Sequence, residues 1–231
     1  MVVSFDGDVH MLCEATDDRQ RIYRAIKSSK ISTGTSLYEA VDLVINERLR
    51  EIEGRKAIIL FTDGVDTTSR RSNDWRNLND AMELDALIYP VRYDTFADVQ
   101  DMKNGARRVS LPPIFDPQPA PGGTLPYPAP TRPTIGRPSD QGTTQQEYAK
   151  AAEYLDQLAM RTGGRLYNAT TLGNLAEAYA RIASELREFY SIGYYPSQDR
   201  AADKRSDIKI KVDQPGLTVR SRSTFIRRKA K

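Results

Sequence analysis

The order of apolar and polar positions divides the chain into strands and helices. Met1 to Phe5 is apolar and β-branched and reads as a strand. Asp6-Gly7 is strong hairpin-turn chemistry, and Asp8 to Leu12 reads as the return strand. Asp17 to Ser28 predicts a short helix with Ile22, Tyr23 and Ile26 on one side. Ser36 followed by Glu39 has the form of a capping box, so a helix starts there. Leu37, Ala40, Val41, Val44, Ile45 and Leu49 keep helical spacing, and Gly54 closes the segment. Five apolar residues, Ala57 to Phe61, then run unbroken between Lys56 and Thr62-Asp63-Gly64. Such a run is expected as a strand buried on both faces, in the middle of a parallel sheet.

The same reading continues beyond that strand. Asn73 or Asp74 caps a helix to about Leu84, with Trp75, Leu78 and Met82 expected inward. Ala86 to Tyr93 is the next strand, and Pro90 removes one of its ladder donors, which predicts an edge or a bulge. Glu147 to Arg161 carries a helical stripe that Thr162-Gly-Gly164 stops. Arg165 to Asn168 is a short strand, and Leu172 to Leu186 marks another helix. Phe189 to Tyr195 is extended and aromatic. Asp207 to Val212 alternates, Gln214-Pro215-Gly216-Leu217 fits a type II turn, and Leu217 to Phe225 is its partner strand. Helices and strands that alternate after an opening hairpin predict an α/β, Rossmann-like parallel sheet flanked by helices, followed by a three-stranded antiparallel appendage.

Composition divides this pattern. Ten of the thirteen prolines lie between Pro112 and Pro138, an irregular segment read as an insertion. The expected organisation is a first part of the α/β core over 1–103, a Pro/Gly-rich insertion over 104–146, the last part of the core over 147–188, and a β appendage with a basic tail over 189–231. Arg200 to Lys231 holds 11 Lys/Arg against 3 Asp/Glu, hence +8, and the net charge of +3 leaves −5 for the rest. A basic edge of this kind is expected to be solvated, with no nucleic acid as partner; binding of an anionic surface through Lys209, Lys211, Arg220 and Arg222 is a rival reading. No apolar run approaches the roughly 20 residues of a membrane span. One cysteine, Cys13, excludes an internal disulfide framework, and one histidine, His10, excludes a multi-histidine metal site within the chain.

Several chemistries find no support. There is no G-x-G-x-x-G, no P-loop, no G-x-S-x-G elbow and no zinc motif. What remains is a pair of loops carrying oxygen atoms, Gly34-Thr35-Ser36 and Thr62-Asp63-Gly64. A hydroxyl and a carboxylate meeting at one end of a sheet suit a hard cation such as Mg²⁺. Thr35 and Ser36 serve equally well to cap a helix, and Asp63 to turn a corner.

Three stretches carry a resemblance: Val2 to Val9, Gly34 to Ala40, and Ala57 to Thr67. With Leu158 to Tyr167, Leu186 to Pro196 and Pro215 to Arg222, the chain resembles a von Willebrand factor type A domain, and more narrowly the related proteins described from Acidobacteria. The resemblance implies a bacterial, exported (periplasmic or extracellular) protein-binding module of adhesion type. It also implies a metal-ion-dependent adhesion site holding Mg²⁺ or another divalent cation, completed by an acidic side chain of a protein partner. Thr35 and Asp63 match two of that site's ligands, with Gly34, Thr62 and Gly64 beside them for binding, and Ser36 and Asp66 as candidate supports behind.

The family's Asp-x-Ser-x-Ser motif has no counterpart, nor do its first strand and first helix. The expectation is therefore a chain truncated at its amino end, with a degenerate site that binds metal weakly or not at all. The run Ala57 to Phe61 should then lack a ladder partner, unless the opening strand closes the gap by pairing with it directly. No enzyme is expected; a metal-dependent hydrolase using Asp63 and Asp66 is the alternative.

Overall fold

The computed structural model describes residues 1–30, 32–103, 142, 144–188, 192, 205–213, 216, 219–222 and 224–226. Its opening is the expected hairpin. Strand β1 (Val2–Phe5) pairs antiparallel with β2 (Val9–Cys13), and Asp6 holds the turn by accepting from the Asp8 amide. Helix α1 (Arg19–Lys27) follows, capped by Asp18, which accepts from the amides of Gln20 and Arg21. Its predicted apolar stripe is not buried: Tyr23 and Ile26 are exposed, and Ala25 is the residue that packs inward.

Helix α2 (Leu37–Asp42) runs on into π-helical turns over Leu43–Arg48. Strand β3 (Lys56–Thr62) then pairs in parallel with β4 (Ala86–Arg92), and β4 with the short β5 (Tyr167–Asn168). Helices α3 (Asp74–Glu83), α4 (Phe96–Lys103), α5 (Gln145–Thr162) and α6 (Leu172–Arg187) complete the α/β part. Helix α4 has no counterpart in the sequence reading. Strands β6 (Arg205–Asp207) and β7 (Thr224–Ile226) form a separate antiparallel pair. The predicted strand Phe189 to Tyr195 lies outside the described residues apart from Ile192, and so does most of the Pro/Gly-rich insertion.

The sheet has a core on each face. On one side Leu37, Val41 and Ile45 of the α2 segment meet Leu60 of β3, Ile88 of β4, and Leu155 and Leu158 of α5. On the other, Tyr89 and Val91 of β4 meet Ala178 and Ile182 of α6. This is the helix–sheet–helix layering that alternating elements predict.

Two expectations fail for reasons of neighbourhood, a middle strand buried on both faces and an inward Trp75, while the missing ladder partner of Ala57 to Phe61 is as expected. Strand β3 is an edge, not a middle strand: β4 flanks one side, and among the described residues nothing pairs with the other. One of its faces is also uncovered at Ala57, which is exposed, and at Ile59, which is 41% exposed. The opening strand does not close the gap, because β1 bonds only to β2. Trp75, expected inward, is exposed; Asn77 and Ala81 are the buried residues of α3.

Pro90 sits in the central strand, in unbroken register with Leu60. Alternate residues of a parallel strand turn their backbone groups to opposite neighbours. The Tyr93 amide donates to the Thr62 carbonyl on the β3 side, while the Arg92 carbonyl accepts from the Ala169 amide on the β5 side. By that alternation the Pro90 nitrogen faces β5, which pairs only at Val91 and Arg92. No ladder bond is lost, so a proline is tolerated mid-sheet.

Candidate functional site at the carboxyl ends of strands 3 and 4

The loops that leave β3 and precede α2 are stitched together, as the sequence reading requires, but by other atoms. The Thr67 and Thr68 amides donate to the Thr35 carbonyl at 2.9 and 3.2 Å, and the Thr35 amide donates to the Thr67 hydroxyl at 2.9 Å. Gly34 enters this seam at φ +86°, where a Cβ would lie 2.6 Å from Thr68 Cγ2. Gly64 likewise has φ +88°, and a Cβ there would meet Leu155 Cδ1 at 2.8 Å. Both glycines are required by backbone geometry and close approach. Thr62 is buried, and its hydroxyl accepts from the Gly64 amide at 3.0 Å, holding the turn.

The capping box is not formed. Ser36 is the N-cap of α2 yet makes no side-chain cap bond. Its hydroxyl donates to the Gly7 carbonyl at 2.8 Å, so the Thr68 hydroxyl, 2.7 Å away, donates to it. The orphan amides of α2 are satisfied from the β3 loop: Tyr38 N–H donates to Asp66 Oδ2 at 2.9 Å, and Glu39 N–H to Ser69 Oγ at 3.2 Å. Asp66 also accepts from the Ser69 amide at 3.1 Å and the Ser69 hydroxyl at 2.6 Å. Glu39 reaches across instead of back, accepting from the amides of Arg70 and Arg71, and those bonds hold its carboxyl below the usual carboxylate range.

Asp63 sits one loop away. Its Oδ1 accepts from the Val65 amide at 3.0 Å, and its Oδ2 from the Thr95 hydroxyl at 2.6 Å. With that proton committed, the Tyr148 hydroxyl, 2.8 Å from Thr95, is the donor of the next bond. A chain of hydroxyls thus runs Tyr148 to Thr95 to Asp63, joining α5 to the loops after β4 and β3. Burial pushes the Asp63 carboxyl above its ordinary range, against the bonds from Thr95 and Val65. Burial pushes Tyr148 up to about 12, so it remains a neutral donor.

No hydrogen bond joins Thr35 to Asp63, and among the described residues no three His, Cys, Asp or Glu stand close enough to hold a metal. The carboxylates of Asp63 and Asp66 are both engaged by protein donors, and the Ser36 hydroxyl by Gly7 and Thr68. Hard divalent cations take six or more oxygens, waters among them, and need carboxylates free to turn toward the ion. Held as they are by protein donors, Asp63 and Asp66 are a poor fit to one.

Sequence reasoning missed Thr95 and Tyr148, since neither belongs to a motif and 53 residues separate them. It also missed Asn77, fully buried, whose amide donates to the Tyr38 carbonyl at 2.9 Å and the Tyr154 hydroxyl at 3.2 Å. The signal for Asn77 is a polar residue on the inward side of α3. At the other end of the chain, Lys209, Lys211 and Arg220 line an open groove of about 570 Å³ beside Met160 and Gly163. Arg220 is already paired with Glu185 at 2.7 Å. No helix among the described residues is long and apolar enough to cross a membrane.

Residues 1–65 match the von Willebrand factor type A domain family. No curated protein matches the chain. Among solved structures, the crystal structure of an uncharacterized membrane spanning protein from Vibrio fischeri is similar at 18% identity. That alignment covers 79% of this chain and 74% of that one, with a TM-score of 0.31, too loose a likeness to carry any argument.

Proposed function

We propose that this chain, whose residues 1–65 match the von Willebrand factor type A domain family, acts as a protein-binding module whose cation site is degenerate. The observation that supports this reading most is the state of Asp63. Its two oxygens accept from Val65 and Thr95, and Tyr148 backs Thr95 in turn. A cation at Asp63 would compete with the Thr95 and Val65 donors inside a partly buried loop cluster, and the Asp66 carboxylate and Ser36 hydroxyl are engaged by other protein groups.

The same facts weigh against hydrolysis by Asp63 and Asp66. Asp66 is occupied in capping α2, and no free carboxylate remains beside Asp63 to activate water. Binding of an anionic surface by the basic C-terminal segment is weaker than its charge suggests, because Glu185 already neutralises Arg220.

The reading is tested by fishing for partners with the purified chain in Mg²⁺ and in excess chelator. Equal recovery of one cross-linked protein in both conditions supports it. Recovery only in Mg²⁺, lost in Asp63→Ala, overturns it.

A further inference from the structure

Helix α1 carries a surface that its own packing does not explain. It rests on β2 and β1 through Ala25, with Ile22 half-buried beside it. At about 3.6 residues per turn, Arg19, Tyr23 and Ile26 fall on one line along the helix. All three are exposed, Tyr23 at 58% and Ile26 at 57%. The Lys27 ammonium stands 4.8 Å over the Tyr23 ring, and Arg24 and Arg21 lie round the other flank. Lys30 follows just past the helix end.

The charge on this helix is one-sided. Arg19, Arg21, Arg24, Lys27 and Lys30 are all exposed, no acid lies between them, and none forms an ion pair among the described residues. Asp17 and Asp18 precede them, and Asp18 is taken up in capping the Gln20 and Arg21 amides. Cations suit the last turn of a helix, which accounts for Arg24 and Lys27. The first turn favours anions instead, yet it holds Arg19 and Arg21 and no acid. Two cations at the wrong end of the dipole, beside two uncovered apolar side chains, add nothing to the fold's stability.

A basic helix with an uncovered apolar line suits the boundary of an anionic bilayer. A folded protein partner is served less well. One helix of nine residues is too small by itself for the roughly 800 Å² that each side of a stable interface buries. Cations spread round a helix also match mobile headgroups better than acids fixed in one pattern.

We propose that α1 is a membrane-surface site that holds the chain peripherally on anionic phospholipid. Its arginines and lysines pair with phosphates, and Tyr23 and Ile26 sink between the headgroups. Unlike Arg220, which Glu185 holds, none of the α1 cations is neutralised by an acid among the described residues. The proposal goes beyond the protein-binding reading and does not depend on it, since neither Asp63 nor its donors take part.

The test is sedimentation of the full chain with vesicles of phosphatidylcholine alone, and of phosphatidylcholine mixed with phosphatidylglycerol. Binding to the mixed vesicles and not to the neutral ones is expected. Arg19→Gln with Lys27→Gln weakens it roughly 25-fold, about fivefold for each cation near the surface. Tyr23→Ser with Ile26→Ser weakens it roughly tenfold. Both pairs are exposed, so the thermal midpoint stays in place. Lys209→Gln with Lys211→Gln leaves binding unchanged. No binding to the mixed vesicles, or equal binding to the neutral ones, overturns the proposal. Binding that survives both α1 pairs and is lost with the Lys209 and Lys211 pair overturns it in favour of the C-terminal segment. Polyglutamate bound as tightly as the mixed vesicles, through Tyr23 and Ile26, overturns it in favour of an acidic protein.

Discussion

Thr95 donates a hydrogen bond to Asp63 Oδ2 across 2.6 Å and accepts one from the Tyr148 hydroxyl at 2.8 Å. That relay holds three segments together at the carboxyl end of the sheet. Thr95→Val keeps the shape and leaves a partly buried carboxylate one donor short. Urea denaturation is expected to show a loss of about 1–3 kcal/mol. Tyr148→Phe removes the outer bond only and costs about 0.5–1.5 kcal/mol. A neutral Thr95→Val would mean the relay is not formed in solution.

Asp66 is the remote cap of α2. Asp66→Ala deprives the Tyr38 amide and the Ser69 hydroxyl of their acceptor together. The expected cost is about 1–2 kcal/mol, at the upper end for a cap. Thermal unfolding of Asp66→Ala checks it, and an unchanged midpoint would move the capping role elsewhere.

The fold was more legible than the site because its signals are local. Apolar spacing placed the hairpin and helices α2, α3, α5 and α6, and the Thr144–Glu147 box of α5 formed as such patterns do. Ser36 and Glu39 have the same spacing, but partners about 30 residues away, Thr68 and the amides of Arg70 and Arg71, outcompete the local bonds. Ala57–Phe61 looks doubly buried in sequence, since no pattern inside a strand reports whether a neighbour exists. Pro90 looked like an edge signal because the deciding fact, a β5 of two residues, lies about 75 positions downstream. Thr35 and Asp63 were picked out by motif, and what surrounds them is set by Thr67, Thr95 and Tyr148, which no spacing announces.

Glu39 makes stability depend on acid. Its carboxyl is lowered in the folded chain by the amides of Arg70 and Arg71. A lowered folded value means the unfolded chain binds the proton more readily, so this contribution is complete above the ordinary glutamate range. It is lost as pH falls from that range through the folded value. Glu39→Gln keeps an acceptor but no charge, and its urea midpoint should fall less steeply over that acid window than the parent's. Parallel slopes would contradict the assignment.

Gly164 packs on the central strand. A Cβ there would lie 1.9 Å from the Ile88 carbonyl oxygen, which is backbone and has nowhere to go. The adjacent Thr162 hydroxyl takes the Ile88 amide at 3.1 Å, so the turn cannot swing away without losing that bond. Gly164→Ala is expected to cost at least about 3 kcal/mol, beyond ordinary overpacking. Denaturation followed by circular dichroism reads it directly.

If the carboxylates at this end of the sheet serve the fold alone, isothermal titration of the purified chain with Mg²⁺ and Mn²⁺ gives no saturable heat below millimolar cation, and chelator leaves the thermal midpoint unmoved. Saturable micromolar binding that Asp63→Asn abolishes would contradict it, and would mean that the Thr95 bond opens to admit a metal.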